Sequence, residues 1–279
     1  MRIMYKVKNL AKGLKLPLYF TSFAPVMIAW FYMRFSDPFI FVMLVIVVVS
    51  MQAALNLAMD FTDHENGRRL RNEDTLFPIG SYLIESMGVK EKSVKAFFLL
   101  SLLISLVAGI SIVVITGKYV LLLFGVLAVI ISLMYALPPF RLNSRGIGEV
   151  STFFSFGPLS FLGSIVALSG SLNLQLVLIS ILLGLLASAI RYLHHLPEDL
   201  SYGNRVRYFR PAYTVILIGG FIINAAYPYT FLFLLPPLAI SIAHLLTLKK
   251  NVLNISRQTN VIVAIQIITS LLLAIRFIL

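Results

Sequence analysis

Cysteine is absent from the sequence. That removes disulfides, thiolate metal sites and a thiol nucleophile from consideration. Charge is scarce as well: 12% of the 279 residues are Asp, Glu, Lys or Arg, and the acids number only 11 against 23 Lys and Arg. There are four histidines and a single tryptophan. What fills the chain instead is apolar, at 59%. This lies well above the roughly 45–50% usual for a globular domain and recurs in long runs, the mark of a polytopic membrane protein. The net charge of +12 would suit nucleic acid, but the charges fall between apolar runs, where a membrane topology accounts for them and no nucleic-acid partner is needed.

At about 20 residues per membrane span, the runs predict an all-α protein with nine transmembrane helices. They lie near Leu16–Met33, Pro38–Met59, Val94–Thr116, Tyr119–Leu137, Val150–Ser169, Leu174–Leu193, Ala212–Tyr227, Tyr229–Leu248 and Val261–Leu279. Gly157-Pro158 predicts a kink in the fifth. Residues 1–279 read as one domain. No small-residue cleavage site closes the first run, so it is expected to be retained. Every Lys and Arg except Arg34, Lys118, Arg276 and the intramembrane Arg191 falls on one side of this topology. Lys and Arg collect on the cytoplasmic side, which places the N-terminus there.

Runs two, four and six all end on that side, and each ends in polar residues. Run two closes with Asn56-x-x-x-Asp60-x-x-Asp63, whose polar groups share one helix face at i, i+4 and i+7. Run four leads to Arg141 and Arg145, followed by Glu149; run six carries Arg191 and then His194, His195, Glu198 and Asp199. Acids beside a hydrophobic span are costly and usually serve an ion or substrate. Asp60 and Asp63 with Glu198 and Asp199 suit Mg²⁺, which takes one or two carboxylates and keeps water and phosphate oxygens in its other positions. Guanidinium groups grip phosphate oxygens in pairs. Together they describe a metal-bridged diphosphate site at a bilayer surface, with a greasy tail left among the helices. Arg191 inside a span calls for an acid partner, and Glu149 is the candidate. His244 reads as an interhelical hydrogen bond. His194 and His195 point about 100° apart on a helix, so one ion would not take both. The stretch 64–93, too long for a plain connection, carries Arg69 toward the same face and holds an apolar segment, Leu76–Met87, expected to lie as a helical lid over the site.

The stretch from Asn56 to Gly67 resembles the first signature of the UbiA superfamily of intramembrane prenyltransferases, and its Asp60-Phe-Thr-Asp63 form is similar to the 1,4-dihydroxy-2-naphthoate polyprenyltransferases of menaquinone biosynthesis. So are Pro138-Pro139-Phe140-Arg141-Leu142, Arg145-Gly146-Ile147-Gly148-Glu149-Val150 and Phe156-Gly157-Pro158-Leu159. The resemblance implies nine helices around a central cavity with a cytoplasmic-side active site. It implies Mg²⁺ bound through two acidic motifs, a polyprenyl diphosphate donor and an aromatic acceptor. Carried over, Asn56, Asp60 and Asp63 form the first metal motif, while Tyr135, Arg141 and Arg145 lie near diphosphate or acceptor. The second motif departs from the family pattern. One register leaves Asp199 as the second acid with His195 in place of the first; the other leaves Glu198 as the first acid with Tyr202 in place of the second. Either way one carboxylate is lost, and His195 becomes a candidate ligand or base. Other readings are a different acceptor (hydroxybenzoate or a glycerol-phosphate lipid), a non-catalytic relative, and a transporter.

Overall fold

A computed structural model describes residues 9–67, 80–201, 209–248 and 252–279. Each predicted apolar run coincides with a helix: α1 (Tyr19–Tyr32), α2 (Pro38–Glu65), α3 (Glu91–Thr116), α4 (Val120–Ala136), α5 (Gly148–Ala167), α6 (Leu174–Ser201), α7 (Phe209–Ile223), α8 (Pro228–Thr247) and α9 (Val252–Ile278). Among the described residues, six of these are long and apolar enough to cross a membrane; the helices at Leu16–Tyr32, Val120–Ala136 and Pro211–Ala226 are apolar but shorter.

Local chemistry sets the helix ends. Pro38 occupies the first turn of α2, where its missing N–H costs nothing, and the Asp37 carboxylate accepts from the Ile40 N–H at 3.0 Å. Gly117, at φ 66°, closes α3 in the left-handed conformation. Beyond it, the Lys118 ammonium donates to the last carbonyls of α5, Val166 at 2.6 Å and Ala167 at 3.2 Å; burial lowers the pKa of this lysine. At 28 residues α2 measures ~42 Å, more than the ~30 Å hydrocarbon core. Its final turns therefore reach the interface, and they carry Asn56 through Glu65.

The centre of the bundle is α6. In its apolar stretch 78% of residues are buried, against 22% in α2 and 28% in α3. Leu176, Ile179, Leu182, Leu183 and Leu186 are fully enclosed, packed by α5, α7 and α9. Where Gly157-Pro158 predicts a kink, the helix continues through π-helical turns over Ser155–Leu162, because Pro158 offers no N–H to the α-helical ladder. Glycines bring this segment against α6: a Cβ on Gly157 would strike the Ser180 carbonyl and the Gly184 backbone, and one on Gly184 would meet the Phe153 carbonyl at 2.6 Å. Small residues at such a crossing let backbones approach and gain dispersion contacts. Gly184→Leu is expected to cost at least ~1–3 kcal/mol by forcing the crossing apart, read as a lower Tm in detergent. An unchanged Tm would show that the crossing is not tight.

A second, smaller core lies where the C-terminal ends of α2 and α4 meet the first turns of α3, with Leu57, Ala58, Phe61, Phe98 and Ala136 clustered with Leu83. Leu83 belongs to the single π-helical turn Tyr82–Ser86, the described part of the segment expected to form a lid. Tyr82 and Leu83 are buried, while Glu85 and Ser86 are exposed.

Candidate active site

Parts of α1, α2, α4, α5 and α6 and the segment before α1 line a cavity of about 80 Å³. The segment supplies Lys15, α2 supplies Gln52 and Asn56, α4 supplies Tyr135, α5 supplies Ser151 and Thr152, and α6 supplies Arg191, His194 and His195. The cations are Lys15 and Arg191, and no Asp or Glu is among the lining residues. At Gln52, Leu55, Ser132, Ser155 and Phe156 the cavity joins an apolar groove of about 450 Å³ running between α2, α3, α4 and α5. Its far walls include Ile110, Leu122, Val126 and Ile130, whose side chains are also exposed on the outside of the bundle.

Arg191 behaves as an intramembrane cation must. Its guanidinium is ion-paired to the Glu149 carboxylate, donates to the Asn143 carbonyl at 2.7 Å and lies 5.7 Å from the Tyr135 ring centre. The expected partner, Glu149, is thus the observed one. Gly148 makes the room, since a Cβ there would collide with the guanidinium. His244 makes the interhelical bond expected of it, with the Tyr213 hydroxyl at 2.9 Å.

The first acidic motif is buried and hydrogen-bonded. Asp60 accepts from the Leu83 N–H at 2.9 Å through one oxygen, and from the Ser81 hydroxyl at 3.0 Å and the Ile84 N–H at 3.2 Å through the other. Asn56 donates to the Leu14 carbonyl at 2.8 Å and accepts from Gln52 at 3.1 Å; Gln52 accepts in turn from Ser22 at 2.9 Å. Asp63 sits 3.5 Å from a guanidinium nitrogen of Arg141. So Asn56, Tyr135, Arg191 and His195 line the cavity, while Asp60 and Asp63 are buried one and two turns along α2 from Asn56 and are not among its lining residues. Arg141 is held at Asp63, and Arg145 is turned away, donating to the Pro139 carbonyl at 2.7 Å. Both His194 and His195 border the cavity, although their rings stand 83° apart. Arg69, Gly203-Asn204-Arg205 and the side chains of Glu198 and Asp199 lie outside the described residues.

Among the described residues no group of three or more His, Asp or Glu converges as a metal cage. Mg²⁺ does not require one: one or two carboxylates suffice when water and phosphate supply the rest. Each carboxylate oxygen has about two acceptor positions. The Asp60 oxygen facing Leu83 uses one of them in the bonds described, so the residues present fit a hydrated Mg²⁺.

Sequence reasoning missed Lys15, which it counted among the basic residues of the N-terminus, and Gln52. The signal for Gln52 was present: it stands four residues before Asn56, on the same face of α2.

No protein-family model matches the chain. It is 25% identical over 164 residues to the 1,4-dihydroxy-2-naphthoate octaprenyltransferase of Haemophilus influenzae, a match covering 57% of this chain and 52% of that protein. The chain thus spans about half the length of the curated relative it matches. Over its whole length it superposes on the solved structure of a UbiA homologue from Archaeoglobus fulgidus, with a TM-score of 0.63, 12% identity, and coverage of 97% of this chain and 99% of that one. The chain has the UbiA fold. A digeranylgeranylglyceryl phosphate synthase structure matches at a TM-score of 0.66 and 17% identity, with the same coverage. The resemblance to UbiA proteins seen in the sequence motifs therefore extends to a multi-pass helical membrane architecture.

Proposed function

We propose that the protein is a Mg²⁺-dependent intramembrane prenyltransferase. It moves a polyprenyl group from a polyprenyl diphosphate to an aromatic acceptor like 1,4-dihydroxy-2-naphthoate, as in menaquinone biosynthesis. One observation carries this reading: a small cationic cavity opens into an apolar groove more than five times its volume. A diphosphate bearing an isoprenoid tail has that division of polarity. Its tail gains by leaving water for the groove, and its head meets fixed charge in a site shielded from solvent, where electrostatic stabilisation is strongest. The UbiA fold and the naphthoate-enzyme relative support the choice of chemistry.

In this reading the chain is a single domain of nine spans with a cytoplasmic N-terminus, and the active site faces that side. Asp60 and Asp63 would hold Mg²⁺, which would supply positive charge toward the departing diphosphate. Arg191, fixed by Glu149 and Asn143, presents its guanidinium to the diphosphate. The Tyr135 ring beside it offers a π face to the allylic cation left as the carbon–oxygen bond breaks. His195 accepts a hydrogen bond from an acceptor hydroxyl, raising electron density at the ring carbon that attacks. That carbon bonds to the allylic carbon, and its carboxylate leaves as carbon dioxide. A second reading has one observation in its favour: the match to a digeranylgeranylglyceryl phosphate synthase structure makes a glycerol-phosphate lipid the alternative acceptor.

The test is prenyl transfer by purified protein in detergent. It uses geranylgeranyl diphosphate, Mg²⁺ or a chelator, and dihydroxynaphthoate, hydroxybenzoate or geranylgeranylglyceryl phosphate. Prenylated naphthoate formed only with Mg²⁺ is the expected product; prenylated glycerol lipid would establish the second acceptor. Folded protein that yields no product with any of them would overturn the transferase reading and leave the non-catalytic and transport readings, which liposome counterflow separates.

A further inference from the structure

We propose that Arg276 is a phospholipid-binding residue, its guanidinium holding a lipid phosphate at the end of the bundle opposite the cavity. At that end α1, α5 and α9 finish and α6 and α8 begin. Tyr32 meets Phe277 edge-on, with ring centres 4.9 Å apart, and Asn173 donates to the Tyr32 hydroxyl at 3.2 Å. Tyr229, in the first turn of α8, faces the Arg276 guanidinium, whose central carbon lies 4.4 Å from the ring centre; the Phe277 ring stands at 5.5 Å. These rings attract the cation and fix where it sits, but they leave its charge in place.

Among the described residues Arg276 has no ion pair and no hydrogen bond, and its Nε is enclosed without an acceptor. An enclosed donor left unmade is costly. The protein has little to offer it. Of the chain's 11 acids, Asp37 alone falls at this end of the topology, and its carboxylate caps the Ile40 N–H. Lys118, at the same end, shows the contrast: its ammonium donates to the Val166 and Ala167 carbonyls and the Ser169 hydroxyl. The surroundings of Arg276 point to the missing acceptor. Leu232, one turn further along α8 from Tyr229, is 59% exposed, and Leu272, one turn before Arg276, is half-buried. Both stand deeper in the bilayer than the guanidinium, at the level of acyl chains. Tyr229 is itself half-exposed, as tyrosines at the headgroup level are. A guanidinium takes two phosphate oxygens at once. A phosphodiester bearing acyl chains therefore fits both the cation and the apolar surface beneath it, where a free phosphate would meet the cation only. A prenyltransferase and a non-catalytic relative would hold such a lipid alike.

The test is thermal unfolding of the full chain in a non-ionic detergent, titrated with dioleoyl phosphatidylglycerol, dioleoylglycerol or inorganic phosphate. Wild type is compared with Arg276→Gln and Arg276→Lys. A ligand that binds the folded state raises Tm saturably. Wild type is expected to respond to phosphatidylglycerol and not to the other two. The apparent Kd for phosphatidylglycerol should weaken about tenfold or more in Arg276→Gln, the scale of a lost hydrogen bond to a charged group. It should weaken less in Arg276→Lys, which keeps the charge without the paired geometry. Each rise is read from that variant's own lipid-free Tm, so a loss of stability on substitution does not imitate a loss of binding. Native mass spectrometry gives a second readout: wild type should retain one more phospholipid than Arg276→Gln. Equal Kd values in wild type and Arg276→Gln overturn the proposal. An equal rise with dioleoylglycerol also overturns it, since the tails alone would then bind. So does a rise with inorganic phosphate that matches the lipid's, since the site would then take a free anion.

Discussion

Asp60→Ala is expected to reduce prenyl transfer at least about a hundredfold, the scale seen when a group stabilising developing negative charge is removed. It is also expected to free the segment around Tyr82, and this second effect does not depend on catalysis. Two backbone N–H groups and a hydroxyl converge on the two oxygens of one carboxylate. Alanine would leave three donors, two of them buried, without an acceptor, at ~1–3 kcal/mol for each that stayed buried. The cheaper outcome is for the turn Tyr82–Ser86 to swing toward water. Amide hydrogen exchange at Leu83 and Ile84 should then rise sharply, with α6 amides unaffected. Asp60→Asn should fall between the two, keeping one acceptor oxygen but presenting a donor NH₂ to other donors. Unaltered exchange at Leu83 and Ile84 in Asp60→Ala would show that the carboxylate does not hold this segment.

Arg191→Met is expected to be the most destabilising single change at the cavity. Removing one partner of a buried ion pair costs ~3–5 kcal/mol, mainly because the other charge is left uncompensated. Here Glu149 would lose its cation and the Asn143 carbonyl its donor, loosening the connection from α4 to α5. The double variant Arg191→Met, Glu149→Gln should recover much of the stability, since the stranded charge is gone. It should recover none of the transfer activity, because the cavity still lacks its guanidinium. Unfolding in detergent and turnover, measured on both variants, separate the two roles. A double variant no more stable than Arg191→Met would mean that the pair is not the source of the loss.

The exposed ionic contacts nearby should matter little by comparison. Lys95 reaches both Glu65 and Glu91 at 2.6 Å, but all three side chains are about two-fifths exposed, where water and salt screen the attraction.

Several features were legible in the sequence because they depend on local chemistry. Apolar runs must become helices in a bilayer, where every backbone group needs an internal partner, and the helices lie where those runs lie. Pro158 had to interrupt the α-helical hydrogen-bond ladder, and it does so in π-helical turns. Arg191 had to find an acid, and Glu149 was at hand. Asn56, Tyr135, Arg191 and His195 border one cavity. The roles of the first motif were a different matter. Spacing puts Asn56, Asp60 and Asp63 on one face of α2, but it does not say what approaches that face. Residues 14 and 81–84 do so, from positions 42 and 23 residues away along the chain, and they take up Asn56 and Asp60. Lys15 likewise gives no sign in the sequence of differing from the other N-terminal basic residues; a left-handed turn and a tie to Asn56 bring it inside. The sequence determined the helices and which of their ends carry polar chemistry, since hydropathy and backbone hydrogen bonding act along neighbouring residues. Only the tertiary structure decided which polar groups line the cavity and which hold its walls, because that depends on contacts between segments far apart in the chain.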